Sequence, residues 1–480
     1  MLSYIFCAVL ALSPALQAVF DLPLQLAFQY AVLLGCLAWL FLRAYGEGLP
    51  AGLFSRRYCP LWGTAALTLF CLVASPLRGY VFNEWGNFAA GLLILVFSSF
   101  LDNEERARTD LAVVCGAWLV FAVSVLQAFA LKNFTASPPL TNLNALALFS
   151  VMIIPVALAR KNWPLVMAMV ILMIWTQSLG AALAALAAAG AYAAARLRGG
   201  GSKGNGLLLA VLAVLGAAVF YGLQADSVAG RIAWWRSAWE MFSARPLAGF
   251  GHAAFTWVQA GFQPEGSFRE YAIYAHNYYL EFLAENGLPA ALLWFWVLFA
   301  AARARKGLVK YSLIAALAHS LVDFGLSVPA NFWLFCYLLS SPAEEGGLVR
   351  PARARTGYAL ALAALLVLAL AHLNYRSLAF EKARRRALSA ALSGRPEQAE
   401  AELRPALESG LFRGPALEFL GRLNLTAPDA GSRAAVYYEM ALRGNRYSAP
   451  AWRALKRIYS VQGREKQAKE LELRRLEVFK

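Results

Sequence analysis

The feature that most constrains this chain is a succession of long apolar runs separated by short basic loops. They fall near 2–20, 23–43, 60–76, 85–101, 110–131, 142–159, 163–177, 179–196, 206–223, 286–302, 309–327, 329–342 and 357–374. A helix needs roughly 20 apolar residues to cross the hydrocarbon core. In lipid the backbone must satisfy its own polar groups, so runs of this kind fold as helices. The sequence therefore predicts an all-α polytopic transmembrane helical bundle of about 13 spans. Composition agrees. The chain is 60% hydrophobic and 15% charged, with mean hydropathy +0.52, whereas soluble domains carry about a quarter charged residues.

A net charge of +16 raises nucleic acid as a partner, but the cations sit where membrane topology puts them. With the N-terminus in the cytoplasm, the inside loops hold Arg56 and Arg57, Arg106 and Arg108, Arg160 and Lys161, Arg196, Arg198 and Lys203, Arg303, Arg305 and Lys306, and Arg350, Arg353 and Arg355. The short outside loops carry little beyond Arg78 and Lys132. This is the positive-inside asymmetry, and no nucleic-acid partner is expected. The first run lacks a basic start and a small-residue cleavage site, so it is expected to be a retained helix. The six cysteines lie in or beside apolar runs, without metal spacing, and no disulfide framework is implied.

Two regions break the apolar pattern. A polar, aromatic-rich loop spans 224–286 and is expected outside the cytoplasm, on the same side as everything after residue 374. The tail, 375–480, is charged, Ala-rich and helical in pattern. Gly394-Arg395-Pro396-Glu397-Gln398-Ala399-Glu400 is echoed by Gly463-Arg464-Glu465-Lys466-Gln467-Ala468-Lys469, with a weaker copy at Gly431-Ser432-Arg433-Ala434-Ala435. That spacing is near the ~34-residue period of tetratricopeptide repeats. The alternative is a small helical bundle. Either way the tail reads as an interaction module. Residues 1–374 then form the membrane domain and 375–480 an α-helical repeat domain.

Within the loop, Val228, Ile232, Trp235, Trp239 and Phe242 recur at helical spacing and predict an amphipathic helix along the membrane surface. Arg231 and Arg236 fall off that stripe, toward an anion or toward lipid headgroups. Pro246-Leu247-Ala248-Gly249-Phe250-Gly251 predicts a tight turn acting as a hinge, and His252 after it reads as structural. Asn277 is placed to cap a helix starting at Tyr278. That would fix His276 near headgroup depth, where a neutral imidazole can act as general base. His319 and Asp323 lie four apart in an apolar run. They are either a mutual hydrogen bond stitching helices or a functional intramembrane pair, the stitching bond being the simpler account. The loop has no Asp-x-Asp, no His-x-x-x-His, no Cys pair and no Gly-x-Ser-x-Gly, so neither a metal nor a serine nucleophile is expected.

The run Arg231…Trp235…Ala238…Met241-Phe242…Pro246-Leu247…Gly249-Phe250-Gly251…Phe255, then Ala275-His276-Asn277-Tyr278-Tyr279-Leu280-Glu281…Glu285-Asn286-Gly287-Leu288-Pro289, resembles the O-antigen ligase and O-antigen polymerase superfamily. That superfamily includes bacterial O-linked oligosaccharyltransferases. Leu140-Thr141-Asn142-Leu143-Asn144-Ala145 is similar to its Asn-x-Asn entry to a span. His319-Ser320-Leu321-Val322-Asp323-Phe324 and Pro329-Ala330-Asn331 resemble members with a tetratricopeptide tail. Ala290 stands for the family's small residue after Gly287. Leu179 departs from an Arg that many members carry before Gly180.

The resemblance implies a multi-pass protein of the bacterial inner membrane, with loop and tail periplasmic, amid membrane lipids. It implies transfer of a glycan from undecaprenyl pyrophosphate to an acceptor hydroxyl, without metal, cofactor or nucleotide sugar. The acceptor is a growing glycan, the lipid A core or a protein. On this reading His276 takes the acceptor's proton and Arg231, with Arg236, steadies the departing pyrophosphate. Arg78 or Arg236 substitutes for the missing Arg. Asn277 joins the binding set, and Trp234, Trp257, Tyr271 and Tyr274 stack on sugars. The tail offers a surface to a protein partner. The competing readings are a lipid-linked glycan flippase or other transporter, and a non-catalytic scaffold.

Overall fold

The computed structural model describes residues 1–198, 216, 227–263, 272–343, 348–349, 353–425 and 430–479. The expected span 206–223, Gly216 apart, lies outside these residues, as do Lys203 and Tyr271. Among the described residues the protein is almost wholly α-helical. The one strand pair, Leu49–Pro50 against Leu348–Val349, is antiparallel.

Among the described residues, six helices are long and apolar enough to cross a membrane: Leu22–Tyr45, Arg78–Phe100, Asn103–Phe129, Leu179–Arg198, Tyr278–Ala304 and Gly357–Leu392. The chain is thus an all-α, multi-pass membrane protein. Leu2–Leu12, Leu143–Ala159, Trp163–Thr176 and Pro329–Leu339 are apolar but shorter. The expected run 2–20 is helical only to Leu12, because Ser13-Pro14 turns the chain and Gln17 and Ala18 adopt positive φ. The expected run 309–327 likewise stops as a helix at His319. Pro329–Leu339 is buried along its whole length. It is anchored by Trp333 Nε1 donating to Asn87 O at 3.0 Å and by Asn331 Nδ2 donating to Ala145 O at 2.8 Å.

The main core joins most of these helices around Phe88, Phe149, Trp294, Trp333 and Phe335. A second core decides where the site sits. It gathers Leu77, Val81 and Phe82 with Ala238, Met241, Phe250, Phe255 and Phe262 of the loop, and with Ala406, Phe412, Ala416 and Tyr447 of the tail. Loop and tail therefore share one apolar interior. Phe250 packs edge-on against Tyr447 at 4.9 Å, and Phe262 against Phe479 at 5.1 Å.

The helix Arg353–Leu392 has 40 residues, about 60 Å. It runs unbroken through position 374, where the boundary between membrane domain and tail was expected. Its first half exposes Leu362, Leu365 and Leu368. Its end pairs with Pro396–Glu408. Arg413–Asn424 pairs next with Ala430–Gly444, and Ala449–Val461 with Glu465–Val478. Gly394 and Gly463 turn within their pairs at φ +72° and +69°, a region that favours glycine. Ala399 and Ala468 are buried beyond those turns. Gly431, the third glycine of the pattern, lies inside a helix instead.

Candidate active site

The helix Ser227–Ala244 carries the first part of the site. Of its aromatic stripe, Ile232 and Trp239 are exposed, while Trp235 and Phe242 are half-buried. The opposite face, Arg231, Ser237, Ala238 and Met241, is buried against the protein. Arg236 lies on the exposed side and pairs with Glu240 at 3.7 Å, so it is not brought to Arg231.

The turn after this helix is pinned to the helix Tyr278–Ala304. Gly251 N donates to Glu285 O at 2.7 Å, and Leu288 N to Pro246 O at 2.8 Å. Glu285 accepts from Ala253 N at 2.8 Å and Phe255 N at 3.0 Å. Two glycines make this approach possible. A Cβ on Gly249 would lie 2.2 Å from Glu285 O, and one on Gly287 would lie 2.3 Å from Leu247 O. The expected hinge is therefore a clasp, hydrogen-bonded on both sides.

His276 is held just as firmly. Its backbone is left-handed, φ +51°, a conformation that costs a non-glycine residue energy and persists only where surroundings enforce it. Trp235 Nε1 donates to His276 O at 3.1 Å. Ala275 N donates to Glu281 Oε2 at 2.6 Å. Asn277 caps the following helix, its Oδ1 accepting from Tyr279 N at 3.1 Å and Leu280 N at 3.0 Å. The ring is stacked on Trp234 at 4.8 Å and meets the edge of Phe324 at 4.8 Å.

The partner of this imidazole is Asp323. Its carboxylate is fully buried, 3.3 Å from His276 Nδ1 and 3.6 Å from Arg231 Nη2. Phe324 N donates to it at 2.9 Å. A buried charge persists when paired and hydrogen-bonded, and here the imidazole and guanidinium both face it. The stitching bond expected between His319 and Asp323 is not formed. The helix ends at His319, so the two are not on one helical face. His319 is buried, and among the described residues neither ring nitrogen makes a hydrogen bond of ordinary geometry. It packs against Gly180, where a Cβ would lie 2.9 Å from its Nε2. Sequence reasoning singled out Asp323 only as the partner of His319, with a stitching bond as the simpler account, and did not connect it to His276. Its signal was the lone carboxylate in an apolar run.

The other expected residues are dispersed. Arg78 is exposed at the edge of the tail. Tyr274 stacks on Phe324 at 4.4 Å, one ring removed from His276. Trp257 pairs with Tyr80 at 5.0 Å. Tyr274, Trp257 and Tyr80 line a cavity of about 220 Å³ together with His252, Glu281 and Glu285. Aromatic faces and carboxylates suit neutral hydroxylated rings, since carboxylates accept from hydroxyls.

His252 stands in that wall beside Phe88, 3.9 Å from Glu285. Burial pushes its pKa down from 6.5 to about 4. Below pH 6.5 the unfolded chain takes up a proton that the folded protein refuses until about pH 4. Stability is therefore complete above that window and falls as pH drops through it, by up to roughly 3 kcal/mol. His252→Gln should flatten the dependence of melting temperature on pH between pH 7 and 4.5. An unchanged slope would place the titration elsewhere.

Fold and site together define a membrane-embedded helical protein with a His–Asp–Arg cluster beside an aromatic cavity. Residues 164–295 match the family model of the O-antigen ligases, and over this stretch the chain is similar to that superfamily. The match contains Arg231, Trp234, His252, His276 and Glu285, but neither Asp323 nor the tail. No curated protein matches the chain.

Proposed function

We propose that this protein transfers a glycan from undecaprenyl pyrophosphate to an acceptor hydroxyl at the periplasmic face of the bacterial inner membrane. The observation that carries the reading is His276 Nδ1 at 3.3 Å from a buried carboxylate that also faces Arg231. With Nδ1–H directed to Asp323, the lone pair sits on Nε2, as a general base requires. Nε2 takes the acceptor's proton while that oxygen attacks the anomeric carbon. The bond from this carbon to the pyrophosphate oxygen breaks, and the lipid diphosphate leaves with the electron pair. Arg231, 3.6 Å from Asp323, sets a positive charge beside the imidazole that favours the departing diphosphate.

The cavity of Tyr274, Trp257 and Glu281 takes the acceptor sugar or the first donor sugars. Trp234 orients the histidine in place of stacking on sugar. Asn277 serves by capping, and Arg236 by meeting headgroups. The helical tail is a repeat module that completes the loop's core and leaves its outer surface to a protein partner.

With a defined lipid-linked donor and purified protein, His276→Ala should slow transfer about 10²–10⁴-fold, whereas Arg236→Gln should change it little. Full activity of His276→Ala would remove the base. Profiling surface glycans in a deletion strain assigns the acceptor. Loss of all long chains marks a ligase, single-repeat caps a polymerase, and altered protein mobility a protein glycosyltransferase.

A further inference from the structure

The second cleft of interest lies away from the imidazole, where the tail meets the membrane domain. It has a volume of about 450 Å³, and Arg78, Arg413, Arg443, Tyr80 and Asn445 are among its walls. Among the described residues no acidic side chain lines it. Among the described residues, none of the three arginines takes part in an ion pair. Arg78 makes only a long 3.5 Å contact to Val73 O.

Two helix N-termini converge on the same space. Arg78–Phe97 and Arg413–Asn424 both begin here, and neither has a side-chain cap. Each start contributes the partial positive charge of a helix N-terminus, although Arg413 N already donates to Ser409 O at 3.1 Å. The junction is close. A Cβ on Gly79 would lie 1.9 Å from Leu411 O, and one on Gly414 would lie 3.2 Å from the Tyr80 hydroxyl. Tyr80 itself donates to Glu418 Oε1 at 2.6 Å, and that carboxylate is not among the cleft's walls.

Asn445 supplies the independent sign of a ligand. The residue is 4% exposed. Its Oδ1 accepts from Tyr447 N at 3.1 Å, which fixes the amide's orientation. Its Nδ2 approaches Tyr80 without forming a hydrogen bond of ordinary geometry. A buried donor left unmade costs about 1–3 kcal/mol, and an acceptor in the cleft would satisfy it. The charged side chains of the cleft are all cations, and Asn445 adds a donor beside the Ser75 and Tyr80 hydroxyls. That set fits a phosphate group: acceptor-only, multiply charged, and matched to guanidinium forks and helix starts.

We propose that this cleft binds a phosphate-bearing group, and that the bound phosphate ties the tail to the membrane domain. Phe70 and Val73, a few residues before Arg78, are exposed apolar side chains at the end of the helix Cys59–Val73. The cleft therefore opens beside a lipid-facing surface, which favours the headgroup of an anionic phospholipid over a soluble phosphate. The inference is independent of glycan transfer.

The test uses the full-length protein in neutral detergent. Thermal stability is measured against phosphatidylglycerol, phosphatidylcholine and inorganic phosphate, and lipid retention by native mass spectrometry. Phosphatidylglycerol should raise the melting temperature by several degrees and phosphatidylcholine should not. Stabilisation by inorganic phosphate alone would keep the site and make its ligand soluble. Arg413→Gln/Arg443→Gln should weaken binding at least tenfold. So should Asn445→Asp, which keeps the acceptor for Tyr447 N but replaces the donor by a charge. The charge-matched Lys466→Gln/Lys469→Gln should bind as wild type. The proposal is overturned if neither anion stabilises the protein, or if the cleft variants bind as tightly as that control.

Discussion

Asp323→Asn is expected to lower the rate of glycan transfer about 10³-fold at saturating donor, with little change in apparent donor affinity. An amide at this position cannot accept from Nδ1–H with a full charge. It also favours the tautomer that puts the proton on Nε2, where the acceptor's proton must go. The carboxylate is buried and faces both His276 and Arg231, so the substitution removes the group that aligns base and cation. If Asp323 only stitched helices together, the asparagine would lower the melting temperature and leave the rate per folded molecule intact. Measuring both on one preparation separates the two roles. Recovery of activity at higher pH in the variant would also count against the tautomer argument.

Gly287→Ala is expected to be the most damaging small substitution in the chain. The residue sits at φ +71°, ψ 172° inside the helix Tyr278–Ala304, a region populated essentially by glycine and worth about 1–3 kcal/mol of strain to any other residue. The added methyl would meet a backbone oxygen, Leu247 O, at 2.3 Å. That oxygen cannot swing aside as a side chain can, because Leu288 N holds neighbouring Pro246 O at 2.8 Å. The clasp between turn and helix should open, with a large drop in melting temperature and faster proteolysis between residues 244 and 263. Ala290→Gly nearby should have a far smaller effect. A Gly287→Ala protein that melts as wild type would show that the clasp does not hold the loop.

The sequence made the membrane class plain, because runs of apolar residues in lipid have few ways to satisfy a backbone. It also made His276 and Asn277 legible, since a polar pair at the start of an apolar run has one obvious local structure, the cap. Arg231 was visible as a break in an aromatic stripe, although what it faced was not. Asp323 was hidden by periodicity. Four residues after a histidine in an apolar run, it reads as the next turn of one helix, and only the chain's departure from the helix at His319 turns it toward residue 276. Arg236 was misleading for the converse reason. It shares the off-stripe position of Arg231 but ends on the solvent side beside Glu240. The union of loop and tail in a single interior was not legible either. Phe412, Tyr447 and Phe479 look like ordinary core residues of their own helices until Phe82, Phe250 and Phe262 are seen against them.

That union bears on how such chains can be recombined. Grafting a different C-terminal segment onto this membrane portion would strip the aromatic backing from the strip of chain that carries the clasp, however well the new segment folded by itself. A working hybrid would have to bring rings that fit where Phe412, Tyr447 and Phe479 now stand, and these three positions set the terms on which tails can be exchanged.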